Sequence, residues 1–194
     1  MHIYVRKPEI PELKRTLEIE QSLPYSYEEA GAVTNDTYPP GYDHDQNRCL
    51  IGEGPEVLAE AKQLIQEYKH FPAGWTFVFA DGKIPVPDLT LTTTFKQFGL
   101  WWINGLRVVD VIDRPGFYGF SYGTLTSHVE RGEELFYTEM LPDGKVYYGI
   151  KAFSEPRFWG ARLIKPYARS QQRRFVQDSM QRMQLLTTRC GQHA

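Results

Sequence analysis

The chain has 194 residues, of which 41% are hydrophobic and 14% aromatic, and it carries a formal net charge of -2. This length suits one domain with a terminal arm, and the apolar fraction is enough for a sizeable core. The near-zero net charge lacks the basic footprint of a nucleic-acid-binding protein, so no nucleic-acid partner is expected.

The cysteines and the N-terminus indicate a reducing compartment. Cys49 and Cys190 are far apart and match no ligand or disulfide spacing, so we expect neither a structural zinc site nor a disulfide scaffold. Residues 1–10 lack the apolar core of a signal peptide, and no apolar run approaches the roughly 20 residues of a spanning helix. We therefore predict a cytoplasmic protein, with no metal and no cofactor.

The first third of the chain combines two short helices with turn-rich segments. Residues 1–24 form a charged N-terminal arm, in which a short helix is predicted from Pro11 to Ser22. Residues 25–42 are rich in turn formers and are predicted as loop, and residues 42–51 as a first strand. A second helix begins at Pro55. Its buried stripe consists of Val57, Leu58, Ala61, Leu64, Ile65 and Tyr68.

From residue 75 to residue 153 the pattern changes to strands. About six alternating runs are joined by short turns, which predicts a largely antiparallel meander. Asn104-Gly105 is a strong hairpin signal and is predicted to separate two of these strands. A tight turn is also predicted at residues 142–144.

The central strand, residues 117–125, has two unlike faces. Tyr118, Phe120 and Tyr122 share one face, whereas the other is small in its middle, at Gly119, Ser121 and Gly123. Glycine inside a strand marks a bulge or a close approach, so we expect either a helix or a ligand against the small face, or a twisted corner without function.

Residues 126–134 are polar, contain Gly132, and are predicted as a loop or wide hairpin. His128 is a candidate acid/base, with Glu130 or Glu133 orienting its imidazole. The alternative is a solvated, charge-balanced loop, because a lone histidine is a weak signal for a metal site.

A long C-terminal helix is predicted from Ser154 or Glu155 to about Thr187, with a kink at Pro166. Its early apolar patch is Phe158, Trp159, Leu163 and Ile164. Its basic residues are Arg162, Lys165, Arg169, Arg173, Arg174 and Arg182. They form either an ordinary solvated face or a surface that docks on a membrane or a partner.

This order of elements predicts an α+β fold. One antiparallel sheet curled around one long helix, with a cavity between them, is the helix-grip arrangement of birch-pollen-allergen (Bet v 1) and START-like proteins. We assign residues 25–188 to a single domain and residues 189–194 to a tail.

Several motifs resemble the DUF1990 (UPF0548) family of uncharacterised proteins from bacteria and plants. They are GFSYGTL at residues 119–125, HVERGEE at 128–134, YEEAG at 27–31, PGY at 40–42, GEG at 52–54, AFSEP at 152–156, and RRF at 173–175 with Asp178. Thr126-Ser127 stands where the family has Pro-Gly before the histidine. The resemblance implies no established activity, and it associates some plant relatives with the chloroplast envelope.

Three functions follow from these patterns. The first is a module that binds a small apolar or amphipathic ligand in the cavity. Its candidate contacts are Trp101, Trp102, Tyr118, Phe120, Tyr122, Glu134, Tyr148 and Phe175. The second is an enzyme that uses His128, Glu130 and Glu133 at the same cavity. The third is a peripheral membrane or envelope-associated protein that docks through its basic C-terminal helix. The patterns leave the oligomeric state open.

Overall fold

The computed structural model describes residues 2–157 and 165–190, which form one antiparallel sheet and three helices. The strands are β1 His2–Tyr4, β2 Asp43–Glu53, β3 Thr76–Phe79, β4 Thr90–Gln97, β5 Leu100–Arg114, β6 Phe117–Thr124, β7 Glu130–Met140 and β8 Lys145–Pro156. The helices are α1 Ile10–Gln21, α2 Pro55–Gln66 and α3 Lys165–Cys190.

The sheet is a meander closed at one edge by a strand from the first third of the chain. Its order is β2-β8-β7-β6-β5-β4-β3, and β1 pairs with the start of β5. The consecutive strands from β3 to β8 all pair antiparallel, as short turns require. Register shifts in β2 and β5 interrupt the ladders, and such irregularities increase strand bending.

The long helix α3 and the shorter α2 pack on the concave face of this sheet. Tyr148 and Ser179 join β8 to α3 by a hydrogen bond of 2.8 Å between their hydroxyl oxygens. The Thr187 hydroxyl donates to the Ile51 carbonyl of β2 at 2.9 Å. The fold is therefore the predicted α+β helix-grip arrangement. Within the described residues, none of the three helices combines the length and apolarity needed to cross a membrane.

The two faces of β6 meet different parts of the chain. Its aromatic face packs into the core beneath α2 and α3. On the other face, a Cβ atom added at Gly123 would lie 2.0 Å from the Tyr27 hydroxyl, and one added at Gly119 would lie 2.9 Å from Cβ of Tyr137. The close approach is thus made by Tyr27 at Gly123 and by residues 136 and 137 of β7 at Gly119.

The predicted turn at Asn104-Gly105 is wrong. Both residues lie inside β5, and the turn between β4 and β5 is at Phe98-Gly99. Gly105 lacks a side chain for a different reason: a Cβ atom there would lie 2.1 Å from Oε2 of Glu20, which α1 presses against the outer face. Asn-Gly therefore does not form a turn here, and the glycine is needed because Glu20 of the N-terminal arm packs against it.

Two predicted boundaries also change. Residues 130–134 belong to β7, because they pair with β8 instead of forming a loop. Residues 154–156 belong to β8, so the C-terminal helix does not begin there. The observed α3 starts at Lys165, which places Pro166 in its first turn, where a missing backbone N–H costs nothing. The predicted apolar patch from Phe158 to Ile164 lies outside the described residues.

Candidate functional site

A cavity of about 430 Å³ lies between the concave face of the sheet and the first half of α3. Its apolar wall is formed mainly by Trp75, Phe95, Trp102, Leu106, Ile150, Phe175 and Val176. Its polar wall is formed mainly by Asp45, Thr93, Asn104, Tyr122, His128, Glu130, Glu134, Gln171 and Gln172.

Within the described residues, the space beneath α3 is divided between a packed core and the cavity. The rings of Phe71, Phe120, Phe136 and Tyr148 and the side chain of Met183 belong to one buried cluster. The cavity wall includes, beside its aromatic rings, the smaller side chains of Thr93, Ala152, Ser154 and Ala168. Side-chain volume therefore separates the packed part from the cavity.

Tyr122 and Glu134 face each other across β6 and β7 at the polar wall. The Tyr122 hydroxyl donates to Oε2 of Glu134 at 2.6 Å. The pKa of Glu134 is raised to about 7, mainly by burial and to a smaller extent by Asp45 and Glu130, against the opposing effect of the bond from Tyr122. Burial and Glu134 together raise the pKa of Tyr122 well above its ordinary value. We call Tyr122, Glu134, Glu130 and Asp45 the polar end of the cavity.

A chain of hydrogen bonds ties α3 to this polar end. Nη2 of Arg169 donates to Oδ1 of Asp45 at 2.8 Å, and Nη1 donates to Oε1 of Gln172 at 2.9 Å. Nε2 of Gln172 in turn donates to Oε2 of Glu130 at 3.0 Å and to the Ser154 hydroxyl at 3.3 Å. The helix is thereby held against β2, β7 and β8 through charge-assisted bonds.

His128 lines the cavity, but the predicted carboxylate partners do not orient it. Its Nδ1 lies 3.0 Å from the backbone nitrogen of Glu130, which donates to the ring. The Glu130 carboxylate points instead toward Gln172. Burial is the main reason that the pKa of His128 falls to about 4, so the ring is neutral near pH 7. Its contacts are those of a local turn.

Glu133 lies on the opposite face of β7 from Glu134. Its Oε2 accepts from the Gly31 backbone at 2.8 Å and from the Tyr27 hydroxyl at 3.2 Å. Burial raises the pKa of Glu133, and the hydrogen bonds from Gly31 and Tyr27 oppose that rise. This carboxylate therefore fastens residues 25–42 to the outer face, and the prediction that it orients His128 is wrong.

The predicted ligand contacts divide between the cavity and the core. Trp102, Tyr122, Glu134 and Phe175 line the cavity. The structure corrects the remaining four. Tyr118, Phe120 and Tyr148 belong to the packed core instead. Trp101 contacts Phe77, with ring centroids 6.0 Å apart, because successive strand residues point to opposite faces.

Sequence reasoning missed Asp45, Asn104, Gln172 and the aromatic pair Phe98 and Tyr167. The first three carry no local signal, since each is one polar residue among many. The pair could have been suspected from Phe98-Gly99, an apolar residue in a two-residue turn. Phe98 is 76% exposed, and its ring stacks on Tyr167 with centroids 5.0 Å apart. We call these two rings the mouth of the cavity, which both of them line.

The turn at the mouth is strained. Phe98 has φ +52° and Gly99 φ +76°, the left-handed pattern of a two-residue type I′ turn that favours Asn-Gly. A bulky L-residue pays about 1–2 kcal/mol in this region. Retention of an exposed aromatic ring at such a position points to a role at the mouth.

The substitution Phe98→Asn is expected to raise the free energy of unfolding by about 1 kcal/mol, and the Tm by roughly 2–4 °C, because asparagine tolerates the left-handed region. Thermal unfolding followed by circular dichroism measures the change. Gly99→Ala, at φ +76°, is the control and should lower the Tm. A lower Tm for Phe98→Asn would show that the stack on Tyr167 outweighs the backbone strain.

Intramolecular contacts occupy several of the predicted docking residues of α3. Arg169 is half-buried against Asp45. Arg174 lies over the Trp75 ring, 4.5 Å from its centroid, and Arg182 donates to the Lys69 carbonyl. The ion pair with Asp45 compensates the charge of Arg169, and the other two contacts hold the side chains of Arg174 and Arg182 against the protein. Among residues 2–157 and 165–190, no three His, Cys, Asp or Glu side chains converge as a metal site would require.

Comparison with known proteins gives one family and one fold. The family described as Domain of unknown function (DUF1990) matches residues 26–182. A UPF0548 protein of Dictyostelium discoideum is 36% identical over 155 residues, which cover 73% of this chain and 71% of the relative. A UPF0548 protein of Arabidopsis thaliana is 32% identical over 146 residues, covering 72% and 70%. The crystal structure of a hypothetical protein from Helicobacter pylori is similar, with a TM-score of 0.57 at 10% identity, covering 77% of this chain and 94% of that one.

Proposed function

The chain belongs to the DUF1990 family, and on that premise we propose that it binds a small apolar or amphipathic ligand in the cavity between the sheet and α3. The observation that carries the proposal is the space of about 430 Å³ that the described residues enclose beside a closely packed core. Ligand pockets of small-molecule-binding proteins fall in the range of about 300–1,000 Å³. Among the described residues, packed aromatic rings occupy part of the space between the sheet and α3, and the cavity occupies the rest.

The lining supports an amphipathic ligand. Rings of Phe95, Trp102 and Phe175 supply an apolar wall, and Tyr122 and Glu134 supply a small number of polar atoms at one side. Sites for small organic molecules combine such walls with a few polar groups that fix orientation. The aromatic pair at the mouth gives an apolar path between the cavity and the surroundings.

Nile red, a neutral apolar dye, tests this proposal. We expect a saturable rise in its fluorescence with the wild-type protein. In Ala168→Trp, whose new ring enters the cavity from α3, we expect affinity to fall about tenfold or more because the space is filled. Ala59→Trp, on the exposed side of α2, is the matched control and should bind as the wild type does.

The proposal fails if the wild-type protein shows no saturable binding, or if Ala168→Trp binds the dye as well as the control does. Native mass spectrometry of protein purified from its own host then serves to identify a bound molecule. A mass increment that Ala168→Trp lacks and Ala59→Trp retains would assign the natural ligand to this cavity.

The alternative of an enzyme that uses the same cavity finds a better candidate in Glu134 than in His128. A general acid/base works best with a pKa near the operating pH. Burial brings the pKa of Glu134 to about 7, whereas burial lowers that of His128 to about 4. Loss of any measured turnover in Glu134→Gln, with turnover kept in His128→Gln, would support this assignment.

A further inference from the structure

In the described part of the chain, the titratable side chains that line the cavity are carboxylates, tyrosines and one histidine. Asp45, Glu130, Glu133 and Glu134 contribute to the wall, and no described lining residue is a lysine or an arginine. The Glu133 carboxylate lies on the outer face of the sheet, where Gly31 donates to it. Arg169 of α3 forms an ion pair with Asp45. The carboxylate of Glu134, bonded to Tyr122, is therefore the acidic group that the polar end presents to the cavity.

Buried polar atoms in the same cavity also point to a ligand. Asn104 is 8% exposed and Thr93 is 1% exposed, and both line the cavity. Oδ1 of Asn104 and Oγ1 of Thr93 have no hydrogen-bond partner among residues 2–157 and 165–190. An unsatisfied buried polar atom costs about 1–3 kcal/mol, so natural structures keep few of them without a purpose. Both side chains could bond a ligand that carries a hydrogen-bonding group.

Glu134 lies where it can bind the polar group of such a ligand. One of its oxygens accepts the Tyr122 hydroxyl at 2.6 Å, and the second oxygen is not part of that bond. The Tyr122 ring beside it and the Trp102 ring on the cavity wall offer aromatic faces, which attract cations. A carboxylate headgroup at the same place would meet the Glu134 carboxylate as a like charge.

We propose that the ligand is an amphipathic amine, whose ammonium group binds Glu134 and Tyr122 while its apolar part lies against Phe95, Trp102 and Phe175. This assignment rests on the proposed function and names the ligand class of the same cavity. An ammonium group supplies N–H donors to a carboxylate, and the aromatic wall covers the hydrocarbon part.

The proposal implies that binding is coupled to a proton. In the absence of a ligand, burial together with Asp45 and Glu130 raises the pKa of Glu134 to about 7. An ammonium ion ordinarily keeps its proton up to about pH 10, whereas a protonated Glu134 must release its own to form the ion pair. Affinity for an amine therefore increases as the pH rises from 5 to 8. The titratable groups that face Glu134 are Tyr122, Tyr148, Asp45 and Glu130. Asp45 is bonded to Arg169.

The test compares three probes of equal chain length, n-octylamine, n-octanol and n-octanoate, by displacement of Nile red at pH 5 and pH 8. The expected order at pH 8 is octylamine tightest and octanoate weakest, with about tenfold between the amine and the alcohol. Glu134→Gln should lose most of that amine preference and keep its octanol affinity within about twofold. Glu18→Gln, at an exposed carboxylate of α1, is the matched control.

Thermal melts establish that each variant is folded, and Tyr122→Phe provides a second variant that keeps the carboxylate. Tyr122→Phe should retain the amine preference, since Glu134 remains in place. The proposal is overturned if octanoate binds as tightly as octylamine, or if folded Glu134→Gln keeps the wild-type preference. Failure of all three probes to displace Nile red, or absence of Nile red binding, would instead overturn the proposed function itself.

Discussion

Gly132→Ala is expected to lower the free energy of unfolding by about 4 kcal/mol or more, a severe loss for a domain of this size. Gly132 has φ +150°, and a Cβ atom there would lie 2.0 Å from the carbonyl oxygen of Phe153 and 2.8 Å from Cα of Ser154. Both are backbone atoms of the neighbouring strand β8, so no side-chain rotation relieves the collision. Either β7 separates from β8 or the strand loses its register.

Urea unfolding followed by tryptophan fluorescence measures this loss. Gly144→Ala is the matched control, because Gly144 also has positive φ, +84°, but no atom within 4 Å of an added Cβ. In the control, the free energy of unfolding should fall only by the cost of placing alanine in the left-handed region, about 1–2 kcal/mol. Equal losses in the two variants would contradict the collision argument. Since Gly132 precedes Glu134 by two residues, folded Gly132→Ala protein should also bind the Nile red probe more weakly.

Acid is expected to destabilise the protein through His70. The ring is fully buried and lies against Phe136, with centroids 4.4 Å apart, and near Phe71 and Phe120. Burial lowers the pKa of His70 to about 3, against a smaller opposing effect of the Leu64 carbonyl. The unfolded chain therefore binds a proton near pH 6.5, whereas the folded protein does so only near pH 3.

The stability that His70 supplies as a neutral ring is fully present above pH 6.5 and is lost as the pH falls from there toward 3. The full loss is of the order of 5 kcal/mol, since the pKa falls from 6.5 to about 3 and one unit corresponds to about 1.4 kcal/mol. Half-buried His128, whose pKa is lowered to about 4, acts in the same direction with a smaller share.

His70→Phe removes this titration and keeps an aromatic ring in the cluster. Urea unfolding at pH 7 and at pH 4 should show most of the acid-induced loss in the wild type and little of it in His70→Phe. His44→Gln, at an exposed histidine of β2, is the control and should behave as the wild type does. If His70→Phe loses as much stability in acid as the control, the buried imidazole is not the cause.

The candidate site shows where sequence reasoning stops. Trp102, Tyr122, Glu134 and Phe175 could be predicted as cavity residues because aromatic strands beside a long helix favour an aromatic-lined interior. Glu133 and Glu134 could not be told apart, since they differ only in the face on which β7 presents them. Glu133 pairs with residues 27 and 31, and Glu134 faces the cavity.

The amino-acid sequence by itself determined the helix of residues 55–66, the antiparallel meander, the helix-grip fold and the family. These depend on periodicity and turn chemistry, which act over a few residues. Only the tertiary structure decided that Asn104-Gly105 lies within a strand, that Tyr27 covers Gly123 on the small face of β6, and that a cavity lies beside α3. Those outcomes depend on which distant side chains meet, and register and side-chain volume across the sheet control that meeting.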